Sequence, residues 1–334
     1  MMKSQKYLIL SAALLGLAAA PAGAQPLYAP SAADGAWENA ATWSGGAVPD
    51  GDYYANVNNH NVTLGSAVNV TKLATDNAGV LTVNSGGSLT VNTTSEFVGG
   101  SVAINSGATL TTGNYIHIGS AGKNANVTVN GTSNVANSTY LGHFTHGNTT
   151  SSLTIGNGGV YNGGSLFSFS GGDSSDLSVT VEAGGYFEAG YLQFGQVSTA
   201  TNRSASFNVA GGDVVITTTN IWGTVLNQDG GFVYSNFDPA TIPDWAGIVY
   251  DGGSLTFTGV TTSSDAGTIS SFTTVISGWV DNGFLTSNLY TDAELKAGFS
   301  VTDGGGVLTI PEPATAGVML GLISVLAVIT RRRR

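Results

Sequence analysis

Between residues 79 and 259, apolar and polar positions alternate in short bursts, and the bursts repeat. The segments LTVNSGGSLTV at Leu81, VAINSGATLTT at Val102, VTVNGTSNVAN at Val127, LTIGNGGVYNG at Leu153, VTVEAGGYFEA at Val179 and FNVAGGDVVIT at Phe207 share one pattern. Each runs with a period of two, turns at glycine or a small polar residue, and resumes the period of two. Successive side chains of a strand point to opposite faces, so each unit predicts strand, turn, strand. The third residue of each, Val83, Ile104, Val129, Ile155, Val181 and Val209, recurs at intervals of 21, 25, 26, 26 and 28. A drifting interval with a fixed pattern marks a repeat with loops of variable length. A further apolar signal follows in most units, at Phe97-Val98-Gly99, Tyr115 to Gly119, Thr139 to Gly142, Tyr191 to Gly195 and Ile221-Trp222-Gly223. Three short strands per repeat are therefore predicted.

A unit of this size cannot bury its own apolar face, so successive units must stack and pair their backbones. The expected fold is all-β: a right-handed parallel β-helix (solenoid) of roughly seven coils over residues 79–259, about 34 Å long at about 4.8 Å per coil. An antiparallel sandwich also has strands every 8 to 12 residues, but it needs no sequence period. Stacking predicts an inward column at Val83, Ile104, Val129, Ile155, Val181 and Val209, with Thr82, Ala103, Thr128, Thr154, Thr180 and Asn208 beside it facing outward. The ends of such a stack need covers. Residues 25–78 read as an N-terminal cap and first strands, with Trp37 and Trp43 of WENAATWSGGAVP over the first coil. Residues 260–309 read as a C-terminal cap region. There Thr291 and Glu294 fit a capping box, and Thr291 to Ala297 is the one segment of the body that reads helical.

The two ends of the chain carry a different pattern. Lys3 and Lys6 precede the apolar run Tyr7 to Ala20, and Ala22 and Ala24 stand at the −3 and −1 positions of a cleavage site. Residues 1–24 thus predict a signal peptide for the Sec machinery and signal peptidase. At the other end, Pro311-Glu312-Pro313 precedes a 17-residue apolar run, Ala314 to Thr330, and Arg331, Arg332, Arg333 and Arg334 close the chain. A helix of that run spans about 26 Å against a hydrocarbon core of about 30 Å, and arginines can snorkel to the headgroups. A single C-terminal transmembrane helix is expected, with its arginines cytoplasmic and everything before Pro311 outside the inner membrane.

Charge sharpens this division. Outside the two ends only Lys72, Lys123, Arg203 and Lys296 are basic, against 20 of the chain's 21 acidic residues, a balance of −16. Phosphate backbones are repelled by such a body, so nucleic acid is excluded as a partner. The chain has no cysteine, and its stability must come from packing and backbone pairing rather than disulfides.

Candidate chemistry is sparse. His143 and His146 form an HxxH, but they lie among glycine, asparagine and threonine with no cysteine or carboxylate nearby, and read as loop residues. His117 aligns with Tyr140 and Gln193 and belongs to an outward polar and aromatic ladder. Glu182 and Glu188 share one coil, with Asp213 one coil later, and two carboxylates flanking a glycosidic bond can act as acid and base. Gly171 to Asp176, GGDSSD, resembles half of a glycine-aspartate calcium loop without the repeated register of such sites. The threonines at 82, 128, 154 and 180 form a single rank, where ice-binding arrays present two. No catalytic residue, metal or cofactor is assigned.

Pro311, Glu312 and Pro313, the apolar helix and the terminal arginine cluster together resemble the PEP-CTERM sorting signal, here residues 310–334. That resemblance implies a Gram-negative host in which an exosortase processes the chain near Pro-Glu-Pro and releases it or transfers it to the surface, alongside exopolysaccharide and biofilm. The body is similar to the autotransporter-associated β-strand repeats of bacterial surface proteins. The expected function is that of a non-enzymatic exported protein, anchored transiently in the inner membrane and then at the cell surface or in the extracellular matrix. A carbohydrate-active hydrolase or lyase, and an adhesin or glycan-binding protein, are the alternatives. Converging carboxylates on adjacent coils would favour the enzyme, an exposed aromatic row the binder, and a featureless polar face the structural role.

Overall fold

The computed structural model describes residues 27–310 apart from 121, 143–146, 173, 195–202, 218–220, 227–231, 237–245 and 259. The alternation along the chain builds two sheets, mostly of parallel strands. The first has ten strands, all paired in parallel: Gly35–Ala36, Asn61–Leu64, Val80–Val83, Gly100–Ile104, Ala125–Val129, Thr150–Ile155, Asp176–Glu182, Ser204–Ala210, Ala246–Tyr250 and Leu285–Thr286.

The second sheet has 19 strands and supplies the other two strands of each repeat. Ser88–Val91 and Ser95–Phe97 follow the first strand of one repeat, Thr109–Thr112 and Tyr115–Ile118 that of the next, then Thr132–Val135 and Ser138–Leu141. Val160–Asn162 with Leu166–Phe169, Tyr186–Ala189 with Tyr191–Phe194, and Asp213–Ile216 with Ile221–Leu226 continue the series. Each strand pairs with its equivalent in the next repeat, so the sheet carries two ladders side by side. Ala67–Asp76 is long enough to start both, pairing with Ser88–Val91 and with Ser95–Phe97.

The register matches the sequence period residue by residue. Val83 pairs with Ile104, Ile104 with Val129, Val129 with Ile155, Ile155 with Val181 and Val181 with Val209, and all six are fully buried. Burying each such side chain contributes about 1.5–3 kcal/mol, and the column is continuous because a one-residue slip would turn every member outward. In later repeats aromatic rings fill the interior. Tyr161 pairs with Phe187 and Phe169 with Phe194, and in-register pairing stacks their rings at 5.8 Å and 4.7 Å.

Repeat length varies most at one place. The connection from the third strand of a repeat to the first strand of the next has two residues after Phe97, six after Ile118, eight after Leu141, six after Phe169 and nine after Phe194. The other two connections run from one to four residues, so most of the drift in the interval arises at this corner.

Both ends are covered. Trp37 and Trp43 are buried with their rings 4.6 Å apart, and the indole N–H groups donate to the Pro49 and Trp37 carbonyls. At the far end the predicted helix is present as Asp292–Ala297, with the Thr291/Glu294 capping box formed. A second helix, Ala266–Asp281, was not expected. Its run of Thr, Ser, Val and Ile favours strands. However, Asp265 caps it by accepting from the Thr268 backbone N–H, and Phe272, Ile276, Trp279 and Val280 bury one helical stripe. Wholly parallel pairing also fails near this end. Ser254–Phe257 pairs antiparallel with Gly305–Leu308, which pairs antiparallel with Phe299–Thr302, and Ile221–Leu226 pairs antiparallel with Phe232–Asn236. Among the described residues no helix is long and apolar enough to cross a membrane. The expected span Ala314 to Thr330 and the signal peptide lie outside the described residues.

Candidate functional site

The outward residues of the two sheets differ in chemistry. On the first sheet they are small and polar: Thr63, Thr82, Ala103, Thr128, Thr154, Thr180 and Asn208 form one register column. Ala103 and Asn208 interrupt the threonine rank, which removes the regular spacing an ice surface would need. The ladder that carries the third strand of each repeat is aromatic instead. It extends back over Leu27–Pro30, Gly51–Asn58 and Ala67–Asp76, and the eight successive strands from Leu27–Pro30 to Tyr191–Phe194 span about 34 Å at roughly 4.8 Å per strand.

Two outward columns run along that face. In one, Tyr28 pairs with Tyr54 and Tyr54 with Lys72, and farther on Tyr115 leads through Ser138 and Leu166 to Tyr191. In the other, Glu96, His117, Tyr140, Ser168 and Gln193 are successive partners. The expected alignment of His117, Tyr140 and Gln193 is present in register, with Ser168 between the last two, but it does not face outward as far as Gln193. Ser168 and Gln193 are buried and joined by a 2.9 Å hydrogen bond, so the exposed part of the column ends at Tyr140.

The rings form two clusters. Tyr28 and Tyr54 meet edge to face at 5.2 Å, Lys72 Nζ lies 4.9 Å from the Tyr54 ring centre, and the same Nζ is 2.8 Å from Glu96 Oε1. Burial, and then the Glu96 charge, push the Tyr54 hydroxyl up to about 12, so it stays a neutral donor. One turn on, His117 lies 4.8 Å from Tyr115 and 5.0 Å from Tyr140. Tyr191, 41% exposed, lies at the far end of the row.

Beside Tyr191 the surface is hollowed. An open groove of about 600 Å³ lies where the second strand of a repeat turns into the third, lined by Asn162, Ser165, Glu188, Tyr191 and Thr217 with Val135 at its edge. Glu188 is adjacent in register to Asn162, and its Oε2 accepts from the Tyr186 hydroxyl at 2.8 Å. Burial, then the hydrogen bond and charge of Glu188, push the Tyr186 hydroxyl up to about 12, so the phenol keeps its proton and donates.

Of the carboxylates weighed for hydrolysis, two neighbour Tyr186: Asp213 pairs with it in register, and Glu188 accepts from its hydroxyl. Glu182 ends a strand of the first sheet, Glu188 lies in the second, and Asp213 accepts from Ser254. Glu188 is the one carboxylate among the lining residues of the groove. Asp176 of the glycine-aspartate segment is taken up by the Ser204 hydroxyl. Among the described residues no three His, Cys, Asp or Glu side chains are grouped to hold a metal ion. His143, His146, Ala22, Ala24, Pro311, Glu312, Pro313 and Arg331 to Arg334 lie outside the described residues.

Sequence reasoning located the third strands but missed Tyr28, Tyr54, Lys72 and Tyr115 as one face. The signal was an aromatic at alternate positions of those strands, and the repeat is unreadable before residue 79. Comparison with family models, curated proteins and solved structures finds no match to this chain.

Proposed function

We propose that the chain is a non-enzymatic exported protein of the cell surface or extracellular matrix that lies against exopolysaccharide through its aromatic face. In this reading the repeats form a right-handed parallel β-helix of roughly seven coils, the parallel in-register ladders being its support. The first 24 residues direct export, and an exosortase processes the chain near Pro311-Glu312-Pro313 after Ala314 to Thr330 and Arg331 to Arg334 have held it in the inner membrane.

The observation that carries the binding reading is the contrast between faces. Small hydroxyl and amide side chains cover the first sheet, whereas tyrosines and a histidine are set along about 34 Å of the second. A sugar ring offers an apolar C–H face and a rim of hydroxyls, which matches an aromatic platform with polar neighbours. Hydrolysis needs two carboxylates about 5–9.5 Å apart across the bond. A groove lined by a single glutamate favours binding.

Binding of the full-length protein to an array of the host's polysaccharides tests this, with Tyr115→Ala and Tyr140→Ala alongside. Loss of signal in the pair is expected, and unchanged binding would refute the aromatic face. Mass spectrometry of the protein from its host tests processing: both ends should be missing, and an intact arginine tail on surface-exposed protein would overturn it.

A further inference from the structure

The groove beside Tyr191 allows a sharper statement about the sugar. We infer that it is a subsite for a glycan bearing protonated amino groups, with the Tyr191 ring as platform and Glu188 as the ammonium acceptor. The inference rests on the aromatic-face reading and names the ligand class within it.

Three observations converge. The groove's volume of about 600 Å³ falls within the roughly 300–1,000 Å³ typical of small-ligand sites. Its lining combines an exposed ring, the Asn162 amide, the Ser165 and Thr217 hydroxyls and the Glu188 carboxylate, so it offers an apolar surface together with hydrogen-bonding groups. Glu188 is held in place at one oxygen: Oε2 takes the Tyr186 proton donor at 2.8 Å, which fixes the side chain and leaves Oε1 for a second donor.

Charge then selects among sugars. The body carries −16, and all three of its lysines are committed to ion pairs, Lys72 to Glu96, Lys123 to Asp76 and Lys296 to Asp281. A uronic acid entering the groove would meet Glu188 with no cation among the lining residues to offset the repulsion. A neutral sugar could stack and hydrogen-bond. An amino sugar adds a charge-assisted hydrogen bond and is drawn in by the field of the whole body.

Isothermal titration calorimetry of the full-length protein at pH 6 in low salt, with tetramers of glucosamine, N-acetylglucosamine and galacturonic acid, tests the inference. Glucosamine tetramer should bind most tightly and weaken in 0.5 M NaCl. Glu188→Gln, which can still accept from Tyr186, should reduce its affinity at least tenfold, and Tyr191→Ala should do the same. Glu182→Gln, at the end of a first-sheet strand, should leave it unchanged. Wild-type affinity in Glu188→Gln, or galacturonate binding as tightly as glucosamine, would overturn the inference. If binding depends on Tyr115 and Tyr140 but not on Glu188 or Tyr191, the groove fails as a subsite while the aromatic face stands. If no tetramer and no host polysaccharide binds, both fail. Unchanged far-UV circular dichroism and melting temperature establish that each variant is folded.

Discussion

Replacing Phe187 by alanine tests the core at its most crowded point. The ring is fully buried and lies 5.8 Å from Tyr161, 5.2 Å from Phe167 and 5.0 Å from Phe207. Removing a core phenylalanine costs about 3–5 kcal/mol, depending on how far the surroundings can collapse into the space. Here the strand is paired on both sides, to Val160–Asn162 and to Asp213–Ile216, so its backbone cannot move inward without breaking two ladders. The cost should therefore sit at the upper end, about 5 kcal/mol, because the lost ring pairs add to the cavity. With an m value of about 3 kcal/mol/M for a chain of this size, the urea midpoint followed by circular dichroism should fall by more than about 1 M. Phe187→Leu keeps most of the volume but loses the ring pairs, and should cost less than the alanine variant, about 1.5–3 kcal/mol. The outward Thr154→Ala should stay within about 0.5 kcal/mol. A loss below about 1 kcal/mol for Phe187→Ala would show that the ring is not enclosed between repeats.

Three further outcomes follow from the turns, the carboxylates and the cap. Gly86 and Gly100 have nearly equal φ, 82° and 79°, but an added Cβ meets nothing within 4 Å at Gly86 and lies 2.0 Å from the Gly79 carbonyl oxygen at Gly100. Gly86→Ala should then cost the backbone strain alone, about 1–3 kcal/mol, while Gly100→Ala must also displace a neighbouring repeat and should melt much lower. Burial alone would raise the Asp251 carboxyl, but hydrogen bonds from Asn288 and Ser287 outweigh it and hold the group below the usual carboxylate range. Hydrogen bonds from Thr268 do the same for Asp265. A depressed folded pKa gives stability that is complete above the unfolded value near 4 and is lost as pH falls through the folded value. Melting temperature should thus be flat from about pH 7 to 5 and drop below about pH 4, and Asp251→Asn should flatten the drop. Thr291→Ala removes the cap of the short Asp292–Ala297 helix and should cost about 1 kcal/mol by thermal melt, with the ladders of the repeats unaffected.

How much could be read beforehand depended on whether a residue's role was local. The column from Val83 to Val209 was legible because a period of two leaves a strand one choice of inward face, and its repetition fixes which residue meets which. The helix Ala266–Asp281 was not, since its composition favours strands and only the spacing of Phe272, Ile276, Trp279 and Val280 betrays it. The antiparallel strands at 299–302 and 305–308 were missed for a related reason: the second pairs with an element about fifty residues earlier, and no repeat announces it. The aromatic face lay between these cases. Tyr140 and His117 could be aligned by their following glycines, but Tyr28 and Tyr54 join the face only through pairing with Lys72 in the long strand Ala67–Asp76. The groove was invisible in sequence, because Glu188 and Tyr191 are near in the chain while Asn162 and Ser165 come from the preceding repeat.

The uneven connections after each third strand have an evolutionary meaning. The largest gains in length, from two residues to nine, fall at the same corner, and the strands on either side keep their register throughout. Loop closure grows only slowly more costly with length, so an inserted peptide there taxes stability little. That corner is a natural grafting point: new sequence can be tried in one repeat without rewriting its neighbours, while the ladders hold the spacing of the aromatic row constant.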